Sequence, residues 1–191
     1  MQTEITVKVF NDLDFIIKKL TSLNYTLQEK VFMQDWYFSK NTLEELNNFD
    51  YPTLIKNSFI VRNVIDSENK TFLCYKNKVL DDFGNVIKEE KTSVEVSNLE
   101  NVLKILNSCK LTNWCYLKQD MYIFSKGEIC FAVQVVEDLG IFIEYEETKC
   151  IQNLSEKEKI EKMYNDLKEL GLRLDTDYSS KKVYLKFKRN S

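Results

Sequence analysis

Two strand-like stretches carry the residues of this chain best placed for chemistry. Thr3-Glu4-Ile5-Thr6-Val7-Lys8-Val9 alternates polar and apolar side chains, and Gly140 to Glu147 does so around Phe142, Glu144 and Glu146. Such alternation puts Glu4, Thr6 and Lys8 on one face of a β-strand, and Phe142, Glu144 and Glu146 on one face of another. The 191 residues include no histidine. That excludes Ser-His-Asp and Cys-His triads, histidine-ligated metals and imidazole proton shuttles. Acid–base chemistry falls to Glu, Asp, Lys, Tyr, Cys or a metal-bound water. A strand with an acid and a base on one face is either solvent-exposed or lines a polar cavity.

Composition narrows the partners. The net charge of −3 gives no general attraction to nucleic acid or acidic membranes, so neither is expected as a partner. Four glycines and one proline (Pro52) leave no room for a Gly-rich phosphate loop or a Pro/Gly linker, and one domain spanning 1–191 is expected. Cys74, Cys109, Cys115, Cys130 and Cys150 form no CxxC pair. They read as reduced, buried small hydrophobes of a cytoplasmic protein. The first residues lack a basic run followed by an apolar core, so no signal peptide is expected, and no apolar run reaches bilayer-spanning length.

The elements that position these residues come in duplicate. Val7-Lys8-Val9, Asn11-Asp12, a helical run from Leu13 to Asn24 and Gln34-Asp35-Trp36-Tyr37 make one copy. Val94-Glu95-Val96, Ser97-Asn98, a helical run from Leu99 to Lys110 and Gln119-Asp120-Met121-Tyr122 make the other, in the same order. Apolar stripes at helical spacing (Leu13, Ile16, Ile17, Leu20, Leu23; Leu99, Val102, Leu103, Leu106, Cys109) predict helices that pack on a sheet. Their N-caps are Asn11 or Asp12 and Ser97 or Asn98. A third helix is expected over 155–170 with Gly171 as its C-cap, and a short fourth over Thr42 to Asn48. Strands are expected over 59–64 and 71–76, joined by a turn at Asp66 to Lys70, and on both sides of the turns Asp81 to Asn85 and Ser125 to Gly127. A last strand is expected from Lys182 to Lys188. The class is α+β with a largely antiparallel sheet. Glu4, Lys8, Arg62, Lys76, Lys118, Glu144, Glu146 and Tyr184 fall on the polar faces. An open sheet would leave them wet, whereas a barrel would gather them inside.

Several segments together resemble the CYTH superfamily, the triphosphate tunnel metalloenzymes, on the class IV adenylyl cyclase and thiamine-triphosphatase branch. Glu4-Ile5-Thr6-Val7-Lys8 is similar to the ExExK strand, and Asp35-Trp36-Tyr37-Phe38 to the D-x-Y-F segment. Ile60-Val61-Arg62 lies at R-x-R and Leu73-Cys74-Tyr75-Lys76 at L-T-Y-K. The run from Val136 to Glu146 is similar to V-E-G-L-G-x-F-x-E-x-E, and Tyr184 matches the tyrosine of the last strand. The resemblance implies an eight-stranded antiparallel β-barrel with flanking helices, a tunnel that takes a triphosphate. It implies Lys8, Arg62, Lys76, Lys118 and Tyr184 as substrate-binding residues, with Lys8 and Lys76 catalytic. Glu4, Glu144 and Glu146 would hold Mg²⁺ or Mn²⁺. The implied partner is a small-molecule (tri)phosphate or other anion, and the implied state is a monomer or homodimer.

The pattern is incomplete. Thr6 stands at the second acid of ExExK, Ile60 at the first arginine of R-x-R, Asp120 at the arginine of K-x-R and Gln134 at the aspartate of L-D-E. The R-x-E-x-E strand aligns on Glu89, Lys91 and Ser93. Three potential metal-binding acids are thus neutral (Thr6, Ser93 and Gln134), which weakens the case for two ions. Three readings stay open: a divergent metal-dependent triphosphatase or adenylyl cyclase, a non-catalytic anion-binding tunnel protein, and a structural relic whose charged interior is mostly paired internally.

Overall fold

A computed structural model describes residues 3–66, 68–80, 86–177 and 182–190. Eight antiparallel strands and six helices follow one another as β1 (Glu4–Val9), α1 (Leu13–Ser22), β2 (Thr26–Ser39), α2 (Leu43–Asn47), α3 (Tyr51–Lys56), β3 (Asn57–Ile65), β4 (Lys70–Leu80), β5 (Val86–Val96), α4 (Leu99–Ser108), β6 (Thr112–Lys126), β7 (Ile129–Val136), β8 (Gly140–Glu146), α5 (Glu156–Glu169) and α6 (Lys182–Asn190). The strand order is β1-β8-β7-β6-β2-β3-β4-β5, which bears out the α+β class and the antiparallel sheet. The expected turn at Asp81 to Asn85 lies outside the described residues. None of the described helices is long and apolar enough to cross a membrane.

The duplication is visible in individual hydrogen bonds. Asp12 and Asn98, 86 residues apart, cap α1 and α4 by accepting from the backbone N–H groups of Phe15 and Asn101. At the other ends Asn24 and Lys110 adopt left-handed φ values of 65° and 59°. The following residues, Tyr25 and Leu111, donate back to the Leu20 and Leu106 carbonyls at 3.0 and 3.1 Å. These are matching Schellman-type stops, with asparagine and lysine where glycine is commonest.

The chain divides into two compact units. The first holds residues up to Val31 together with Asp120 to Ser180. Its core is the apolar face of β1 (Ile5, Val7, Val9) with Phe131 and Val133 of β7 and Ile143 and Tyr145 of β8, covered by Ile16 and Leu20 of α1 and Met163 and Leu167 of α5. The stripe expected of α1 and the apolar face of α5 are therefore spent on the sheet. Gly171 stops the chain after α5 with a φ of +68°. The segment beyond it lies along β1: Phe10 N–H donates to the Arg173 carbonyl at 2.8 Å and Asp175 N–H to the Lys8 carbonyl at 2.9 Å. That covers part of the outer edge of β1, whose other edge is paired to β8.

One buried charge cluster ties α5 to the end of β8. Lys159 is buried and stands 2.9 Å from Glu147, also buried, and 2.9 Å from Glu156, which accepts from the Thr3 hydroxyl. Burial alone would raise Glu147, but its contacts with Lys159 and Thr3 outweigh this and hold it below 4.5. The Thr3 hydroxyl and then Lys159 lower Glu156, while Glu156 and Glu147 raise Lys159 above 10.5. Folded carboxyls with depressed values contribute stability above the ordinary glutamate pKa and lose it as pH falls through the folded value. A raised lysine loses its contribution only at the alkaline end. The expected result is a melting-temperature gap between wild type and Lys159→Met that is widest near neutrality. It should close as pH falls below 4.5, in thermal melts run from pH 7 to 3.

The second unit holds Phe32 to Gln119 and the chain from Lys181 onward. Phe38, Val61, Leu73 and Trp36 pack under Val102 and Leu106 of α4. The turn between β3 and β4 forms where expected, with the Asp66 carboxylate accepting from Glu68 N–H at 2.7 Å and Asn69 N–H at 3.3 Å. Two corrections concern the helices. Tyr51–Lys56 is helical, with Asp50 as N-cap and Pro52 in the first turn, a start signal present in the sequence. The stretch expected as the last strand is α6 instead. Val183 and Phe187 are four residues apart, so Val183-Tyr184-Leu185-Lys186-Phe187 satisfies both a period of two and a helical face. Packing settles the choice: Phe187 meets the Trp114 ring edge-on at 5.2 Å, and Val183 and Phe187 are both buried. Lys182 and Lys186 are buried too.

All five cysteines are free. Cys74 and Cys115 are buried as expected, whereas Cys109, Cys130 and Cys150 are exposed. Burial pushes the Cys115 thiol up to about 12, with Lys186 opposing and Asp35 adding to the shift, which leaves it inert at neutral pH.

Candidate active site

The acids expected to hold metal come together in the first unit. β1 and β8 pair antiparallel with Glu4 opposite Glu146, Thr6 opposite Glu144 and Lys8 opposite Phe142. Ile5, Val7, Ile143 and Tyr145 point into the helix-covered core, so the even-numbered residues of both strands share the other face. There, one carboxylate oxygen each of Glu4, Glu144 and Glu146 lies within 4.8 Å of the other two. Oxygens sharing one Mg²⁺ at about 2.1 Å stand no more than about 4.2 Å apart, so a small side-chain adjustment closes the set around an ion. Three hard carboxylate donors suit Mg²⁺ or Mn²⁺. Lys8 lies two residues from Thr6 on the same face, with its ammonium 5.9 Å from the Phe142 ring.

Two neutral side chains support this trio, and both stand at the positions where the resemblance expects acids. Thr6, nearly buried, has its hydroxyl 3.5 Å from Glu4 Oε1. Gln134 on β7 is 1 % exposed and donates from Nε2 to Glu144 Oε2 at 2.8 Å. Sequence reasoning placed both residues but read them only as losses. The Thr6 bond joins residues two apart on one face of β1, whereas the Gln134 bond follows from the ladder, in which Gln134 pairs with Phe142, one step from Glu144 along the same face.

The second unit holds the remaining candidates, and they do not share one face. Arg62 pairs opposite Asp35 in the β2–β3 ladder and grips it as a fork, Nε to Oδ1 at 2.8 Å and Nη2 to Oδ2 at 2.7 Å. Asp35 is 1 % exposed and Arg62 22 %, so this is a bidentate ion pair whose carboxylate is buried. Arg62, which the resemblance implies as a substrate-binding residue, is thus already paired with a carboxylate. Lys76 sits opposite Ser58 and Lys91, on the same face as Arg62 and away from α4. Arg62 and Ser58 are four residues apart, which offsets Arg62 from Lys76 by about 13 Å along the strand direction.

Tyr184 departs from the strand expected for it, and Lys118 lies beside an aromatic ring. The Lys118 ammonium lies 5.8 Å from the Tyr116 ring, which stacks on Trp36 at 4.9 Å. Tyr184 is on α6, not on a strand. Its ring meets Tyr51 edge-on at 5.5 Å, with the Lys188 ammonium 5.8 Å from it.

An eight-stranded antiparallel sheet with flanking helices, carrying three clustered carboxylates beside a lysine, defines the class of fold. No protein-family profile matches the chain. It is similar along its whole length to MJ0240 of Methanocaldococcus jannaschii, named as a candidate adenylate cyclase. The identity is 25% over 189 residues, covering 98% of each chain. The fold is shared with the PH1012 protein of Pyrococcus horikoshii, with a TM-score of 0.71, 19% identity and coverage of 98% and 99% of the two chains. It is also shared with HpAC1 from Hippeastrum, a candidate adenylyl cyclase described as having a dominant triphosphatase activity. There the TM-score is 0.58 at 14% identity, over 100% and 97% of the two chains.

Proposed function

We propose that this chain is a CYTH-superfamily protein that acts on a triphosphate or other phosphorylated anion with one divalent cation held by Glu4, Glu144 and Glu146. The observation that carries this reading is the gathering of those three carboxylates on one face of β1 and β8. Bound there, Mg²⁺ or Mn²⁺ would withdraw charge from phosphate oxygens as the P–O bond breaks. Lys8, on the same face, offsets ligand charge as a flexible point cation. Neutral Thr6 and Gln134 argue for one ion rather than two, because each missing carboxylate removes a donor a second ion needs. The names of MJ0240 and HpAC1 support a nucleotide or inorganic triphosphate as the ligand class.

The second reading, a tunnel protein that binds an anion without turnover, is favoured by the Arg62 fork. With two of its N–H groups spent on Asp35, Arg62 has less to offer a phosphate. Both readings expect Mn²⁺ with tripolyphosphate to raise the melting temperature. Phosphate or pyrophosphate release from ATP, tripolyphosphate and thiamine triphosphate separates them. Metal-dependent release that Lys8→Ala lowers at least 100-fold supports the enzyme, and ligand-induced stabilisation without release supports the binding protein. No stabilisation at millimolar ligand would sink both.

A further inference from the structure

The neutral residue at the acid trio is built in, not merely left over. Gln134 is almost wholly buried, and its amide is fixed by Glu144 Oε2 at 2.8 Å, with Met121 Sδ 3.6 Å away. A buried amide keeps such a bond because leaving it unmade would cost the full desolvation of the group. The donor therefore engages Oε2 of a carboxylate that also places one oxygen within 4.8 Å of an oxygen of Glu4 and of Glu146.

We infer that Gln134 is a positioning and selectivity residue: by holding Glu144 Oε2, it leaves Glu144 to meet a cation through one oxygen and tunes the trio for Mg²⁺ or Mn²⁺ over Ca²⁺. The inference rests on the single-cation reading above. Its physical basis is the different demand of the two ion sizes. Ca²⁺ takes six to eight oxygens at 2.3–2.6 Å and readily uses carboxylates through both oxygens. Mg²⁺ needs a near-octahedral set of single oxygens at about 2.1 Å and keeps several waters. A carboxylate with one oxygen already engaged is a good ligand for the small ion and a poor bidentate clamp for the large one. Partners that orient a ligand in this way are worth about 10–100-fold in metal affinity when removed.

The test is calorimetric titration of Mn²⁺ and Ca²⁺ into the full chain, wild type and Gln134→Leu, alongside melting curves without metal. In Q134L, Mn²⁺ affinity should fall about 10–100-fold, while Ca²⁺ affinity stays level or rises. The Mn²⁺-over-Ca²⁺ preference therefore collapses. A purely structural role for Gln134 would weaken both ions alike, and that parallel loss overturns the inference, as does an unchanged preference. Gln134→Met, which fills the same space, checks that the effect is not a packing defect: it should reproduce the change in preference. If wild type binds neither ion, the single-cation reading itself has failed, a result distinct from wild-type binding with an indifferent Q134L.

Discussion

Replacing Arg62 by methionine should strip about 3–5 kcal/mol from the stability of the fold, because it leaves the Asp35 carboxylate buried and unpaired. For a chain of this length that corresponds to a melting temperature roughly 10 °C lower. Arg62→Lys should recover only part of the loss, since an ammonium cannot reproduce the two parallel bonds from Nε and Nη2. The double variant Arg62→Met, Asp35→Leu makes the argument decisive. A buried ion pair replaced whole by apolar residues is often neutral or stabilising. The double should therefore melt well above the single, measured by calorimetry. A double no better than R62M would mean that the loss comes from shape and not from the stranded charge. The same variants bear on function, because a fork needed for phosphate binding and a fork needed only for folding respond differently. In the second case the double variant folds and still takes the ligand.

Removing one carboxylate of the trio should have the largest effect on ligand chemistry. Glu146→Gln keeps the shape and one oxygen donor but deletes a charge from a set of three. The proposed reading expects Mn²⁺ binding to weaken at least 100-fold and metal-dependent phosphate release to disappear. Stability without metal should stay level or rise, since Glu4 and Glu146 stand directly opposite in the ladder and like charges so placed repel. Titration calorimetry with melts in EDTA reads both quantities. Full Mn²⁺ affinity in E146Q would remove the trio as the cation site. Coupled loss of metal binding and of stability without metal would show Glu146 to be a structural residue.

How much of this could be read from the chain varies element by element. Helices α1, α4 and α5 were legible because each joins an apolar stripe at helical spacing to a capping residue, two local signals that agree. The helical α6 was not, because a period of two and a spacing of four coincide in Val183, Leu185 and Phe187, and only the contact with Trp114 and burial of Lys182 and Lys186 separate them. Among the site residues, Glu4, Lys8, Glu144 and Glu146 were legible as faces of strands. That Glu4 meets Glu146 was not, since ladder register joins residues 142 positions apart and nothing local encodes it.

Composition and short-range pattern by themselves therefore determined the class, the duplication, the absence of imidazole chemistry and the identity of the acids and bases available. Those properties depend on residue type and on neighbours a few positions away, which the chain states directly. Tertiary structure alone decided which of those charges stand together. It brought three glutamates from β1 and β8 within one ion's reach, spent the Arg62 guanidinium on Asp35, and turned Gln134 from a missing acid into a donor that holds Glu144. Pairing register and side-chain packing are long-range quantities, set by the free energy of the whole fold, and the chemistry of the site is decided at that level.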